Sequence, residues 1–294
     1  MAASSVHTTG NILDGKMLAA KLQTQLAERL AKLPAGSPCP KLVVVLVGDN
    51  PASHVYVNKK AKTAQKIGMA SEILTFPADA SQETVESALL KLNQDASVHG
   101  ILVQLPLPKH LDSKRILNRV HPEKDVDGLH PFNLGRMMSG DWPPALPCTP
   151  AGMMTMLKAY DIDPAGKHAV VIGRSNIVGK PIGMLLLAAN ATVTYCHSQT
   201  PDLAAISEQA DILVAAVGVP ELVKAEHIKP GAVILDVGTN RLADGRLVGD
   251  VDFQSCLSKA AYISPSPGGV GPMTIATLME NTLSLYQAQT GIIV

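Results

Sequence analysis

The chain has 294 residues, 46% of them hydrophobic and only 3% aromatic, and its formal net charge is zero. That length favours two domains, and the charge balance with a pI near 7.1 gives no electrostatic case for nucleic acid or an anionic membrane as partner. The longest apolar runs, Leu42–Val47 and Met184–Ala189, are far too short to span a bilayer.

The opening stretch MAASSVHTTGNILDGK lacks a basic region followed by an apolar one, so no secretory signal is expected. It contains Asp14 and no arginine, which argues against a transit peptide. The four cysteines (Cys39, Cys148, Cys196, Cys256) are widely spaced, as for reduced thiols in a cytoplasmic protein. With no HExxH and no tight His/Cys cluster, no metal site is expected.

Along the chain, KLVVVLVGD (41–49), EILTF (72–76) and HGILVQL (99–105) predict strands. Residues 53–68 and 81–95 predict the helices between them, the second opening on a capping Ser81 with Glu83 in its first turn. Strands that are apolar without alternation point to a parallel sheet covered on both faces. The segment DWPPALPCTP (141–150) carries four prolines and is read as a non-helical domain junction. Beyond it HAVVIG (168–173), ATVTYC (191–196), DILVAAVG (211–218) and AVILDVG (232–238) predict four more strands at βαβ spacing. Residues 272–289 predict a final helix with Ile275, Leu278, Met279, Leu283 and Leu285 as its apolar positions. The expected fold class is α/β in two domains.

Several stretches carry candidate chemistry. In SHVYVNKK (53–60), Tyr56 and Lys60 are four residues apart and share a helix face. The bland alternative is a solvated basic helix, since Lys59, Lys62 and Lys66 lie close by. Gln104 closes an apolar strand, at the carboxyl edge where parallel sheets bind ligands. PEKDVDG (122–128) sets Asp125 and Asp127 beside Gly128, which is either an acidic turn or a site. SPSPGGVGP (264–272) permits close backbone approach to a ligand, or is a plain connector.

VVIGRSNIVGKP (170–181) follows a strand and opens a helix, where a dinucleotide fingerprint belongs. Gly173 supplies the tight turn and Gly179 the close helix packing, although Ser175 replaces the middle glycine of GxGxxG. The next strand ends YCHSQT, with Ser198 and no carboxylate before Asp202. An NAD site wants an acid there for the ribose 2′-OH; Arg174 without a competing acid favours a 2′-phosphate, hence NADP.

Together VGDNPASHVYVNKK (47–60), VQLPLP (103–108), PEKDVDG (122–128), PCTP (147–150), VVIGRSNIVGKP (170–181) and PGGVGPMT (267–274) resemble one family in order and spacing. It is the bifunctional methylenetetrahydrofolate dehydrogenase/methenyltetrahydrofolate cyclohydrolase family of the FolD type. The resemblance implies an N-terminal folate-binding catalytic domain (1–148), with the helix 273–294 packing back on it. It implies a Rossmann-like NADP-binding domain (149–272), with a cleft between the two, and a homodimer. Lys60 then matches the lysine of proton transfer in the cyclohydrolase step. Tyr56 matches the ring that stacks on the folate's p-aminobenzoyl group, and Gln104 the amide that bonds and tunes the lysine. Asp127 matches the aspartate that grips the pterin, Asp125 then being structural, and Pro272 matches a substrate-binding position. Gly173, Arg174, Ser175 and Ser198 match positions that hold the NADP phosphates and ribose. Where the family usually reads Gly-Ile-Asn this chain has Gly238-Thr239-Asn240, so Thr239 takes the position by the nicotinamide. The implied reactions are NADP-dependent oxidation of 5,10-methylenetetrahydrofolate and hydrolysis of the methenyl product to 10-formyltetrahydrofolate. The alternatives are a dehydrogenase without cyclohydrolase activity and a silent NADP-binding protein.

The chemistry suits these residue types. A lysine that carries protons near neutral pH must have its ordinary pKa lowered, and a neutral amide orients it without an opposing charge. A carboxylate accepts paired hydrogen bonds from the pterin's amino and ring N–H groups. Hydride transfer needs mainly that the two rings be held together.

Overall fold

The computed structural model describes residues 11–294, so the reading of the first ten residues lies outside it. In chain order the elements begin with β1 (Asn11–Ile12), α1 (Gly15–Leu30), β2 (Lys41–Val47), α2 (Pro51–Lys66), β3 (Ala70–Phe76), α3 (Gln82–Gln94) and β4 (Gly100–Val103). Next come α4 (Ser113–Leu117), α5 (Pro131–Met138), α6 (Cys148–Ala159), β5 (His168–Ile172), α7 (Gly179–Ala188), β6 (Thr192–Cys196) and α8 (Leu203–Ser207). The last are β7 (Ile212–Ala215), β8 (Val233–Asp236), β9 (Asn240–Arg241), β10 (Leu247–Val248), α9 (Phe253–Leu257), β11 (Tyr262–Ile263) and α10 (Val270–Thr290).

The chain divides into two compact units. The first holds the described residues up to Ala19 together with Thr149–Thr274; the second holds Ala20–Cys148 and Ile275–Val294. The start of the chain differs from the expected division at 148. β1 pairs in parallel with β11, Asn11 opposite Tyr262, and so belongs to the unit built from the second half of the sequence. Two residues are too few to show a periodic pattern, which is why sequence reading passes over this strand.

In the second unit the sheet order is β3-β2-β4, all parallel. Every side chain of β2 after Lys41 is buried. Leu42, Val44 and Leu46 face one way, against α10 residues Leu278, Met279 and Leu283 and α2 residues Val57 and Ala64. Val43, Val45 and Val47 face the other, against Val85 and Leu89 of α3 and Ile116 of α4. A strand covered on both faces has no reason to alternate, which accounts for the unbroken KLVVVLV. At roughly 1.5–3 kcal/mol for each buried branched side chain, this strand anchors the unit.

In the first unit six parallel strands run in the order β1-β11-β8-β7-β5-β6. The chain goes from β5 to β6 on one side and then crosses to β7 on the other. The order reverses at β5, the kind of switch point at whose carboxyl edge open α/β sheets bind ligands. Its core is formed by Val170, Ile172, Leu213, Ala215 and Ile234 with Val223, Val251 and Ile263.

Helix ends obey local chemistry. Ser81 caps α3 by accepting from Thr84 N at 3.2 Å, worth about 1 kcal/mol. The proline-rich segment departs from expectation, because α6 starts inside it at Cys148. Pro150 falls in the first turn, where a helix has no use for the missing N–H. The glycine-rich loop before α10 approaches the chain itself: Lys16 N donates to Gly268 O at 2.9 Å, and a Cβ on Gly15 would collide with the carbonyl of Gly269. Among the described residues no helix is long and apolar enough to cross a membrane. Gly15→Ala should destabilise the protein by ~2–4 kcal/mol, since two backbones must separate to admit the methyl group. Urea unfolding checks this, and a loss below about 0.5 kcal/mol would contradict the packing described.

Candidate active site

In the second unit the candidate residues sit on segments that leave the carboxyl ends of β2 and β4. After β2 the chain turns at Gly48 (φ +86°) and reaches Asn50, whose side chain caps α2 by accepting from Ala52 N at 3.0 Å and Ser53 N at 3.2 Å. Pro51 follows at the first helical position. The cap fixes the helical register, and Ser53, Val57, Ala61 and Ala64 form its buried face. Tyr56 and Lys60 flank that face on successive turns. Lys59, Lys62 and Lys66 are exposed, as a solvated basic helix would have them, while Lys60 is half-buried. Lys60 Nζ donates to Gln104 Oε1 at 2.9 Å.

Gln104 is held from two directions. Its backbone N donates to Val45 O at 2.9 Å, which continues the β2–β4 ladder by one residue. Its Nε2 donates to Leu105 O at 2.6 Å, which leaves Oε1 turned to the lysine. Tyr56 is 46% exposed, so its ring is available to a flat ligand.

The acidic pair separates by environment. Asp125 is buried beside β4, bridging Ile101, and its carboxylate accepts from His130 N at 2.8 Å and Asn133 Nδ2 at 3.0 Å. Burial raises its pKa, against the pull of these bonds. It holds the turn into α5. Asp127 keeps some surface, but its carboxyl is walled in, and burial is the main influence raising its pKa. The Lys60 charge opposes that rise and the Asp125 charge adds to it. The buried Cys148 thiol is pushed well above its usual range by burial first and then by the negative charge of Asp127.

Asn281 of α10 is a site-shaping residue that the sequence motifs do not single out. Its Nδ2 donates to Val126 O at 2.9 Å and Leu146 O at 2.7 Å, pinning the residue before Asp127 to the loop before α6. Gly128 has φ +67°, and a Cβ there would lie 2.5 Å from the Leu146 carbonyl carbon. A polar residue among buried apolar helix positions is the available signal for Asn281.

In the first unit Gly173 directly follows β5 with φ +128°, and a Cβ on it would strike the carbonyl oxygen of Ala216 beyond β7. A Cβ on Gly179 would strike Gly173 O. The β5–α7 turn is therefore drawn tight at the point of reversal, leaving a cradle of backbone that suits a dinucleotide. Ser175 Oγ accepts from Val178 N and Gly179 N, each at 3.2 Å, and orders the turn. Arg174 is exposed and makes no hydrogen bond or ion pair among the described residues. Ser198, in the turn after β6, and Thr239, after β8, are exposed as well. These residues fit an anionic nucleotide with a cation free to meet it.

Pro272 lies in the first turn of α10, within the first unit. Lys60, Gln104 and Asp127 thus form one group in the second unit, with Tyr56 a turn away. Gly173, Arg174 and Ser175 form another in the first, and Ser198 and Thr239 follow β6 and β8 of the same sheet, with β7 and β5 between them.

A raised Asp127 pKa means that the folded chain holds that proton more tightly than the unfolded chain. Stability therefore falls as pH rises from the unfolded value towards the raised one. Asp127→Asn should be at least as stable as the wild type at pH 7.5, with the advantage vanishing towards pH 4. Thermal unfolding across that range checks the sign, and a variant markedly less stable at pH 7.5 would contradict it.

Residues 13–127 match the family model for the tetrahydrofolate dehydrogenase/cyclohydrolase catalytic domain, and residues 147–290 match that for its NAD(P)-binding domain. The chain is 54% identical over 275 residues to the bifunctional protein FolD of Geobacillus thermodenitrificans, covering 94% of this chain and 96% of that one. A FolD crystal structure from Campylobacter jejuni aligns with a TM-score of 0.92 and 47% identity, covering 95% of this chain and 99% of that one. A Trypanosoma brucei methylenetetrahydrofolate dehydrogenase-cyclohydrolase complexed with NADP cofactor and inhibitor aligns with a TM-score of 0.91 and 40% identity, covering 95% of this chain and 98% of that one.

Proposed function

The chain belongs to the tetrahydrofolate dehydrogenase/cyclohydrolase family, and from that premise we infer a bifunctional enzyme of one-carbon metabolism. It oxidises 5,10-methylenetetrahydrofolate with NADP and hydrolyses the methenyl product to 10-formyltetrahydrofolate. The observation that carries the cyclohydrolase half is the bond from Lys60 Nζ to Gln104 Oε1, which singles one lysine out of four on the same helix.

In this reading Asp127 accepts hydrogen bonds from the pterin and Tyr56 lays its ring along the p-aminobenzoyl group. Pro272 is assigned to the folate as well. Lys60 moves a proton at Nζ during hydrolysis of the methenyl carbon, with Gln104 fixing the direction of the ammonium. Gly173 and Ser175 shape the turn that would receive the phosphates, Arg174 and Ser198 would hold the adenosine ribose and its 2′-phosphate, and Thr239 would serve the nicotinamide end. Bound NADP supplies the hydride acceptor, and the protein's part in that step is to orient and to exclude water. The family resemblance further supports a homodimer working in the cytoplasm.

Two variants separate the assignments. Lys60→Met should slow hydrolysis of methenyltetrahydrofolate by about 100-fold or more and leave NADP affinity unchanged. A mutant that hydrolyses at the wild-type rate removes Lys60 from the mechanism. Arg174→Ala should weaken NADP by about tenfold or more while barely affecting NAD, because only the former carries the 2′-phosphate. Equal losses in titrations with both cofactors would place that phosphate elsewhere.

A further inference from the structure

The carboxyl edge of the first unit contains two buried acids that none of the roles above uses. Asp236 ends β8 and is 3% exposed; Asp250, after β10, is wholly buried. They are linked, because Asp250 N donates to Asp236 Oδ1 at 2.9 Å. Asp236 also accepts from Gly238 N at 2.9 Å and Val251 N at 3.1 Å. Asp250 Oδ2 accepts from Val217 N at 2.7 Å and Gly218 N at 2.9 Å, in the loop after β7. Its Oδ1 accepts from Asn240 Nδ2 at 2.9 Å, at the start of β9 where the loop after β8 ends. A Cβ on Gly238 would strike Asp250, and one on Gly249 would strike the Asp236 carboxylate, so two glycines make room for the pair.

One carboxylate therefore ties together the loops that follow two neighbouring strands. Gly218 has φ +68° and faces open space, Val219 is 45% exposed, and Thr239 stands exposed between two residues that the acids hold. A dinucleotide lies across the point where strand order reverses. Its pyrophosphate belongs at the β5–α7 turn and its adenosine half beside β6. The nicotinamide half would then fall over the ends of β7 and β8, on these two loops.

We propose that Asp250 is a positioning residue for the nicotinamide end of the cofactor, acting by fixing the Val217–Gly218 and Gly238–Asn240 loops. The inference rests on the NADP reading and deepens it. A donor such as Asn240 Nδ2 that loses its carboxylate acceptor no longer holds its loop, because an unpaired buried N–H is costly. Asp250→Asn turns an amide donor towards Asn240 Nδ2, itself a donor, and breaks the tie between the loops.

Three readouts on the full-length protein test this. In calorimetry Asp250→Asn should bind NADP about tenfold or more weakly and adenosine 2′,5′-bisphosphate within about twofold of wild type. Hydrolysis of methenyltetrahydrofolate without cofactor should stay within about twofold. Amide hydrogen exchange at Gly238, in the loop freed from Asp250, should speed up in the ligand-free chain, while Val217 and Gly218 keep their acceptor. Asn240→Ala keeps the carboxylate and its backbone bonds, and should show the same pattern at about threefold, so it carries the test if Asp250→Asn does not fold. NADP affinity at the wild-type level in both variants overturns the proposal. So does a parallel fall in all three functions, which would mark a purely structural role. Failure of the wild type to bind NADP would sink the cofactor reading, and this inference with it.

Discussion

A parallel strand cannot hairpin into its neighbour; the chain must cross back, and every crossover leaves from the same edge of the sheet. Both units are built on that constraint. In one, β2 and β4 deliver α2 and Gln104 to a common edge, and in the other β5, β6, β7 and β8 deliver four loops. The interiors of β2, β4, β5, β7 and β8 are apolar on both faces, so the side chains that can do chemistry gather at and just past their carboxyl ends. Lys60 is the partial exception, reaching the same edge from the third turn of its helix.

At these edges the choice of neutral or charged partner decides what each group does. Gln104 fixes a lysine with a dipole, where a carboxylate would have held it as a permanent ion pair. Asp125 and Asp127 are two residues apart, yet one is saturated by His130 and Asn133 and the other is left facing Lys60 and Cys148. The saturated acid holds a turn and the unsaturated one remains available to a ligand. Asp236 and Asp250 extend the theme, as burial pushes Asp236 up to about 7 while both carboxyls absorb backbone N–H groups.

Much of this is legible in the sequence because it depends on local signals. The long strands are visible as apolar runs, and Ser81 announces α3. Gln104 is noticeable as a polar residue at the end of such a run. The same signal is present in AVILD for Asp236, but no motif draws attention to it there. The illegible features depend on distant pairing. The two-residue strands β1 and β11 exist only because they pair with each other and with β8. Asn281 acts on carbonyls 155 and 135 residues away, and no local pattern encodes that. The start of α6 within the proline segment is obscured because proline breaks helices in the interior but is tolerated in the first turn.

The central claim is that one chain performs both reactions and selects NADP. It is tested most directly by mixing the purified protein with 5,10-methylenetetrahydrofolate and either NADP⁺ or NAD⁺, then separating the folate products over time. NADPH formation is expected, with 10-formyltetrahydrofolate appearing faster than uncatalysed hydrolysis of the methenyl compound and a clear preference for NADP⁺. Accumulation of the methenyl product alone, or no turnover with either cofactor, would contradict it.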